Sequence, residues 1–272
     1  MRRGDLARAL AMAMGVGLAG GAAAQPAELV VYAAGSLRAA LTEVGRRYEA
    51  LPEVGKVRFV FGASGLLKDR LVAGEEADLF ASANMQHPQA LADAGKAGAV
   101  QRFARNRLCL LARPEARVTT DNLLGRLLDP AVRVGTSTPK ADPSGDYTWE
   151  MFRKLAARGG PYAGAYETLD RKALQLTGGP GSPPPPTGRS VYGALLEGGQ
   201  ADVFVTYCTN ALQARQEVPG LQLHDLPDDV NVAADYGVVR LGASGARAQR
   251  FLDLLLGAEG QAILRRQGFA EP

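Results

Sequence analysis

Twice in its first third the chain runs from an apolar strand pattern, through a junction of glycine and serine, into a helical stripe. Residues 29–33 (LVVYA) are apolar. Gly35-Ser36 follows, and then Leu37, Ala40, Leu41, Val44 and Tyr48 recur at helical spacing. Val57, Phe59 and Phe61 alternate as on a strand, Gly62-Ala63-Ser64-Gly65 follows, and Leu67 and Leu71 begin the next helical face. A third unit, ADLFASANMQHPQAL, supplies a short strand over 77–81, a polar turn and a helix. Strands and helices in strict alternation predict a parallel sheet with helices on both faces.

Beyond that array, RNRLCLLARPE reads as a strand that stops at Pro114. Asp121 is expected to cap a short helix, NLLGRLLDP, ended by Pro130. AVRVGTSTP is a strand and turn, and Pro143-Ser144-Gly145 opens a helix through DYTWEMFRKLAARG. GRSVYGALLEGGQADVFVTY gives a helix and a strand that ends at Tyr207, and LQLHDLP and DYGVVRL add strands. The C-terminus is two helices meeting between Gly257 and Gly260. Consecutive prolines make GGPGSPPPPTG (178–188) an exposed loop, because they donate no backbone hydrogen bonds and hold an extended form. It is read as a surface insertion, with a lip over a cleft as the alternative.

The junctions carry the chemistry. A helix start leaves N–H groups unpartnered and bears partial positive charge, so it attracts anions. Ser36, Ser64, Ser144 and the Gly188-Arg189-Ser190 step all stand at such starts, and the Tyr207 phenol ends a strand. In open α/β sheets ligands settle at the carboxyl ends of the strands. The plain alternative is that the serines only cap their helices.

The first residues change the setting. Arg2, Arg3 and Arg8, an apolar run over 9–18 and the small residues Ala22-Ala23-Ala24 form a secretory signal peptide, with cleavage expected after Ala24. No cysteine follows the run, so a lipid anchor there is excluded, and no later segment is long and apolar enough to span a membrane. The protein is expected to be exported to a periplasm. Without residues 1–24, which hold three arginines and Asp5, the formal charge falls from +3 to +1. That gives no support for binding nucleic acid or a membrane. Cys109 and Cys208 lie in strand-like stretches and are read either as a disulfide or as buried thiols.

The landmarks AAGSL (33–37), GASGLL (62–67), ADLFASA (77–83), DPSG (142–145), GQADVFVTY (199–207) and EGQAILRRQGF (259–269) span the chain beyond the leader. In that order and spacing the chain resembles the periplasmic molybdate- and tungstate-binding proteins of ABC importers. The resemblance implies an α/β, two-lobed solute-binding fold, each lobe a mostly parallel sheet flanked by helices, with the ligand cleft between. It implies lobe I over 28–107 plus 232–272 and lobe II over 108–231. It also implies a monomer that presents its ligand to a membrane permease and needs no cofactor. In that family the oxyanion is held by neutral groups. Carried over by motif, Ser36 and Ser64 supply hydroxyls, Ser144 a backbone N–H, Tyr207 a phenol, and a further backbone N–H falls at or beside Arg189.

Arg189 departs from the family pattern and leaves two ligand readings. Pointing outward, it leaves a charge-free site for molybdate or tungstate; pointing inward, it would grip a carboxylate or phosphonate bidentately. A fully ionised tetraoxyanion only accepts hydrogen bonds, so its site should hold donors and no carboxylate, and the junctions supply none. Sulfate then differs from molybdate mainly in size. Asp146 stands where the family commonly has a neutral residue, and its carboxylate would disturb a dianion unless it faces solvent or the arginine. A serine hydrolase at Ser64 is disfavoured, because Leu66 stands where that motif needs glycine and His87 and His224 sit in surface contexts. No cluster of histidine, cysteine and carboxylate has metal-ligand spacing.

Overall fold

In the computed structural model, which describes residues 28–184, 187–242 and 245–272, the chain opens on three parallel strands. The leader expected over 1–24 lies outside the described residues. Strands β1 (Leu29–Ala34), β2 (Val57–Gly62) and β3 (Leu79–Ser82) lie in the order β2-β1-β3, with Val31 opposite both Phe59 and Leu79. Helices α1 (Arg38–Glu49), α2 (Ser64–Val72) and α3 (Gln86–Asp93) follow them in turn. β1 is buried along nearly its whole length, as a central parallel strand covered on both faces should be. Ala40, Leu41, Val44 and Tyr48 form the buried stripe of α1. Tyr48 meets Phe251 edge-on at 5.5 Å, and burial of each large apolar side chain contributes about 1.5–3 kcal/mol. Phe251 belongs to α9 (Gly245–Leu256), which with α10 (Ala258–Arg266) closes this lobe.

A single long strand links the halves. β4 (Gln101–Ala112) pairs antiparallel with β9 (Ala233–Arg240) from Gln101 to Arg107. From Leu108 to Ala112 it pairs instead with β7 (Val203–Tyr207), and from Cys109 it also pairs with β8 (Gln222–Asp225). Beyond β7 come β5 (Val134–Ser137) and β6 (Leu174–Thr177), both in parallel register. The order across the molecule is β2-β1-β3-β9-β4-β7-β5-β6, so β4 and β9 form the seam between two lobes. Helices α4 (Leu123–Leu128), α5 (Pro143–Ala157), α6 (Ala165–Lys172), α7 (Val191–Glu197) and α8 (Cys208–Glu217) flank the second lobe.

The sequence left α6, β6 and α8 unassigned. α8 starts directly on the last residue of β7, with no turn residue between them to mark the change. β4 begins at Gln101, earlier than the apolar run suggests, because the polar stretch QRFAR is held in the ladder by β9. Asp121 does not cap α4. Asn122 occupies that position, and its side chain turns back to accept from the Thr119 N–H at 2.8 Å. Cys109 and Cys208 form a disulfide that joins β4 to the first residue of α8 across 99 positions of sequence.

Candidate functional site

The starts of α1 and α2 face the second lobe across a cavity of about 240 Å³. Its first-lobe wall includes Gly35, Ser36, Gly62 and Ala63; its second-lobe wall includes Asp142, Thr177, Tyr192 and Tyr207. Ser36 sits in a 3-10 turn (Gly35–Leu37) between β1 and α1, with Oγ 2.8 Å from the Tyr236 hydroxyl. Tyr207, at the end of β7, is buried and donates its O–H to the Ala83 carbonyl of the other lobe at 3.4 Å. Burial raises its pKa well above the ordinary phenol value, so it remains a donor at any physiological pH.

Two of the expected residues stand one layer behind the wall. Ser64 is buried at the first position of α2, and its Oγ accepts from the Ala83 N–H at 3.1 Å, while Ala63 and Ala83 line the cavity. Ser144 is the second residue of α5; its N–H donates to Asp142 Oδ1 at 3.2 Å, and its buried hydroxyl has no partner among the described residues. Arg189 reaches the rim but is exposed and paired with Glu197 at 2.7 Å. The N–H beside it, of Ser190, donates to Glu217 at 2.5 Å. The cavity thus brings together Ser36, Tyr207 and Arg189 and leaves Ser64 and Ser144 as supports.

The wall also holds residues the sequence did not single out. A carboxylate is present after all, that of Asp142, which caps α5 through the Ser144 N–H and accepts from the Ser137 hydroxyl at 2.6 Å. An aspartate before proline reads as a helix cap; only the fold shows that it also faces the cavity. Asp146, the acidic residue of concern, instead accepts from the Lys140 N–H at 2.8 Å and is not part of the wall. Arg38 adds a cation: its guanidinium stacks over Phe61 at 4.4 Å and makes no ion pair among the described residues. Burial lowers its pKa, the direction expected of a cation without a counter-charge. The proline-rich loop is not a detached insertion, because Gly178, Gly179, Ser182, Pro183 and Pro184 line the cavity. Gly178 has φ +74°, and a Cβ there would come within 2.3 Å of Ser137 Oγ and 2.6 Å of Asp142 Oδ2.

Ser64 Oγ is bonded to a backbone N–H, and neither His87 nor His224 bonds to it among the described residues. The grouping with metal-ligand proximity among the described residues is Cys109, Cys208 and Asp225, and its two sulfurs are bonded to each other.

Two lobes joined by crossing strands, with a cavity between them, are what a protein that closes on a small solute requires. The model of the bacterial extracellular solute-binding proteins matches residues 29–270. The chain belongs to that family. An uncharacterized protein of Pasteurella multocida (strain Pm70) is 39% identical over 245 residues, covering 88% of this chain and 97% of its own length. The molybdate-binding protein ModA of Mycobacterium tuberculosis is 27% identical over 253 residues, covering 90% of this chain and 85% of its own. Among solved structures, the periplasmic molybdate-binding protein of Azotobacter vinelandii superposes with a TM-score of 0.71 at 19% identity, over 90% of this chain and 99% of its own, a likeness of fold. Among the described residues, no helix of this solute-binding protein is long and apolar enough to cross a membrane.

Proposed function

We propose that this solute-binding protein captures a small oxyanion, molybdate or tungstate first, and delivers it to the permease of an ABC importer. It acts in the periplasm as a monomer after its leader is removed near Ala24. Its lobes comprise 28–107 plus 232–272 and 108–231. The observation that carries the reading is the pair of neutral hydroxyls, Ser36 and Tyr207, which line one cavity from opposite lobes beside the starts of α1 and α2. The N–H groups at these starts, and the Tyr207 hydrogen once it leaves the Ala83 carbonyl, are the donors that a small lobe movement would add. The molybdate-binding relative at 27% identity supports the choice of anion.

A panel of molybdate, tungstate, sulfate, phosphate and small carboxylates in a thermal-shift assay tests this. At a hundred times its dissociation constant a ligand should stabilise the protein by about 2.7 kcal/mol. Flat melting curves with both metal oxyanions at millimolar concentration would sink the molybdate reading. A larger organic anion is the second reading. It is favoured by a cavity of about 240 Å³, close to the roughly 300 Å³ at which small-molecule pockets begin. Its grip would come from Arg38, since Arg189 is engaged by Glu197. A carboxylate or phosphonate that outperforms molybdate and loses affinity in Arg38→Ala would favour it.

A further inference from the structure

Asp142 is the one carboxylate on the cavity wall among the described residues. A carboxylate has about four lone-pair sites. Two are used, by the Ser137 hydroxyl at 2.6 Å and the Ser144 N–H at 3.2 Å, so capacity to accept is left over. The residue keeps a partial surface and lines the cavity, while Gly178 closes over its other side. The charged and titratable groups around it are Asp146 of α5, Tyr192 of α7, Tyr207 of β7 and Tyr236 of β9. None of these is a cation. The two cleft cations are Arg38, on the opposite lobe over Phe61, and Arg189, paired with Glu197. Burial raises the pKa of Asp142 and Asp146 adds to the rise, against the lowering by its two hydrogen-bond donors.

An acceptor-only anion set against an acceptor-only carboxylate, with no cation between them, is unfavourable in a water-poor cleft. One hydrogen removes the conflict. We infer that bound anion and Asp142 share a hydrogen: the cleft takes either an anion that brings its own donor, such as a singly protonated oxyanion or a hydroxy acid, or a fully ionised oxyanion together with one proton from solution. In the second case an O–H bond forms on Asp142 at the expense of a solvent proton, which returns to solvent on release. The inference rests on the reading that this cleft holds a small anion, and it makes Asp142 the residue that sorts anions by their protonation.

The experiment is calorimetric titration of the mature protein with molybdate and with inorganic phosphate, in buffers of different ionisation heat, at several values between about pH 5 and 8. Wild type should take up close to one proton per molybdate, and its affinity should fall by up to tenfold per pH unit above the pKa of the free carboxyl. Phosphate, which carries its own hydrogen, should show less uptake. Asp142→Asn keeps the helix cap, since asparagine caps as well as aspartate. It should abolish proton uptake and flatten the pH dependence for molybdate, while weakening phosphate about tenfold or more. An anion bound by wild type with no proton uptake, and with affinity unchanged in Asp142→Asn, overturns this inference alone. No binding of any anion in the thermal panel overturns it together with the oxyanion reading.

Discussion

Gly65 is where the two lobes touch backbone to backbone, and replacing it tests whether closure is part of binding. Its N–H, at the second position of α2, donates to the Ala141 carbonyl of the other lobe at 2.9 Å. A Cβ on Gly65 would lie 2.6 Å from both the Ala141 and the Lys140 carbonyl oxygens, closer than real Cβ atoms come to any neighbour. Both obstacles are backbone, so no side chain can swing aside, and the lobes would have to separate by several tenths of an ångström. That loses the hydrogen bond, worth about 1 kcal/mol, along with packing around it. Within the helix, alanine is better than glycine by up to about 1 kcal/mol, so the lobe itself should fold at least as well. Gly65→Ala should therefore leave the melting temperature of the free protein within a few degrees of wild type. It should weaken the best anion of the thermal panel by about fivefold to tenfold or more, because apparent affinity scales with the fraction able to close. Calorimetry on the two proteins side by side measures this. Wild-type affinity in Gly65→Ala would refute the view that this contact belongs to the binding-competent state.

Ser36→Ala should cost binding more than stability, since a hydrogen bond to a charged ligand is worth roughly 1.5–3 kcal/mol and its partner Tyr236 keeps Asn106. Ser64→Ala should do the reverse at first order, losing about 1–3 kcal/mol of stability because the buried Ala83 N–H is left unpaired; denaturant unfolding against anion titration separates the two. Reducing the Cys109–Cys208 disulfide, which closes a loop of 99 residues, should lower unfolding stability by up to about 4.7 kcal/mol on the chain-entropy account. A carboxyl whose pKa is raised by folding stabilises the fold below its ordinary value and loses that contribution as pH rises through the raised one. Asp142→Asn should thus raise the melting temperature at neutral pH, with the gain disappearing below about pH 4; a gain that persists in acid would contradict the burial of this carboxyl.

The first lobe was legible because its units are short and punctuated: Gly35-Ser36 and Gly62–Gly65 mark where period two becomes period 3.6, and β1, α1, β2 and α2 lie where that change puts them. Legibility failed where punctuation is missing. α8 begins on the residue after β7, and β4 recruits a polar stretch that only its antiparallel partner β9 holds in the ladder. At the candidate site, sequence identified residue types at helix starts but not depth. Ser36 and Ser64 look alike as text, yet one lines the cavity and the other is buried behind Ala63 and Ala83. Asp142 and Arg38 each have an ordinary explanation in sequence, as a helix cap and a charged helix residue, and only the approach of the end of β6 and the 178–184 segment gives either a cavity to face.

The hydrogen bonds behind Ser36 give it a direction. Asn106, on the seam strand β4, uses one amide hydrogen on Thr209 Oγ1 at 2.9 Å and the other on the Tyr236 hydroxyl oxygen at 3.3 Å. With its oxygen accepting from an amide, Tyr236 turns its own hydrogen to Ser36 Oγ, 2.8 Å away. Ser36 is thereby an acceptor toward the protein and a donor toward the cavity, the polarity a fully ionised anion requires. The relay's other end is Thr209, whereas the Tyr207 hydroxyl is held separately by the Ala83 carbonyl. Tyr236→Phe removes the donor to Ser36 but keeps the ring packed against Phe103, Tyr207 and Phe269. Stability should fall by about 1–3 kcal/mol, because a buried Asn106 amide hydrogen loses its acceptor. Anion affinity should fall several-fold, since Ser36 can then turn its hydrogen away to water. Equal affinity for the panel's best anion in wild type and Tyr236→Phe would show that the orientation of Ser36 is set by the ligand alone and owes nothing to the chain through Asn106.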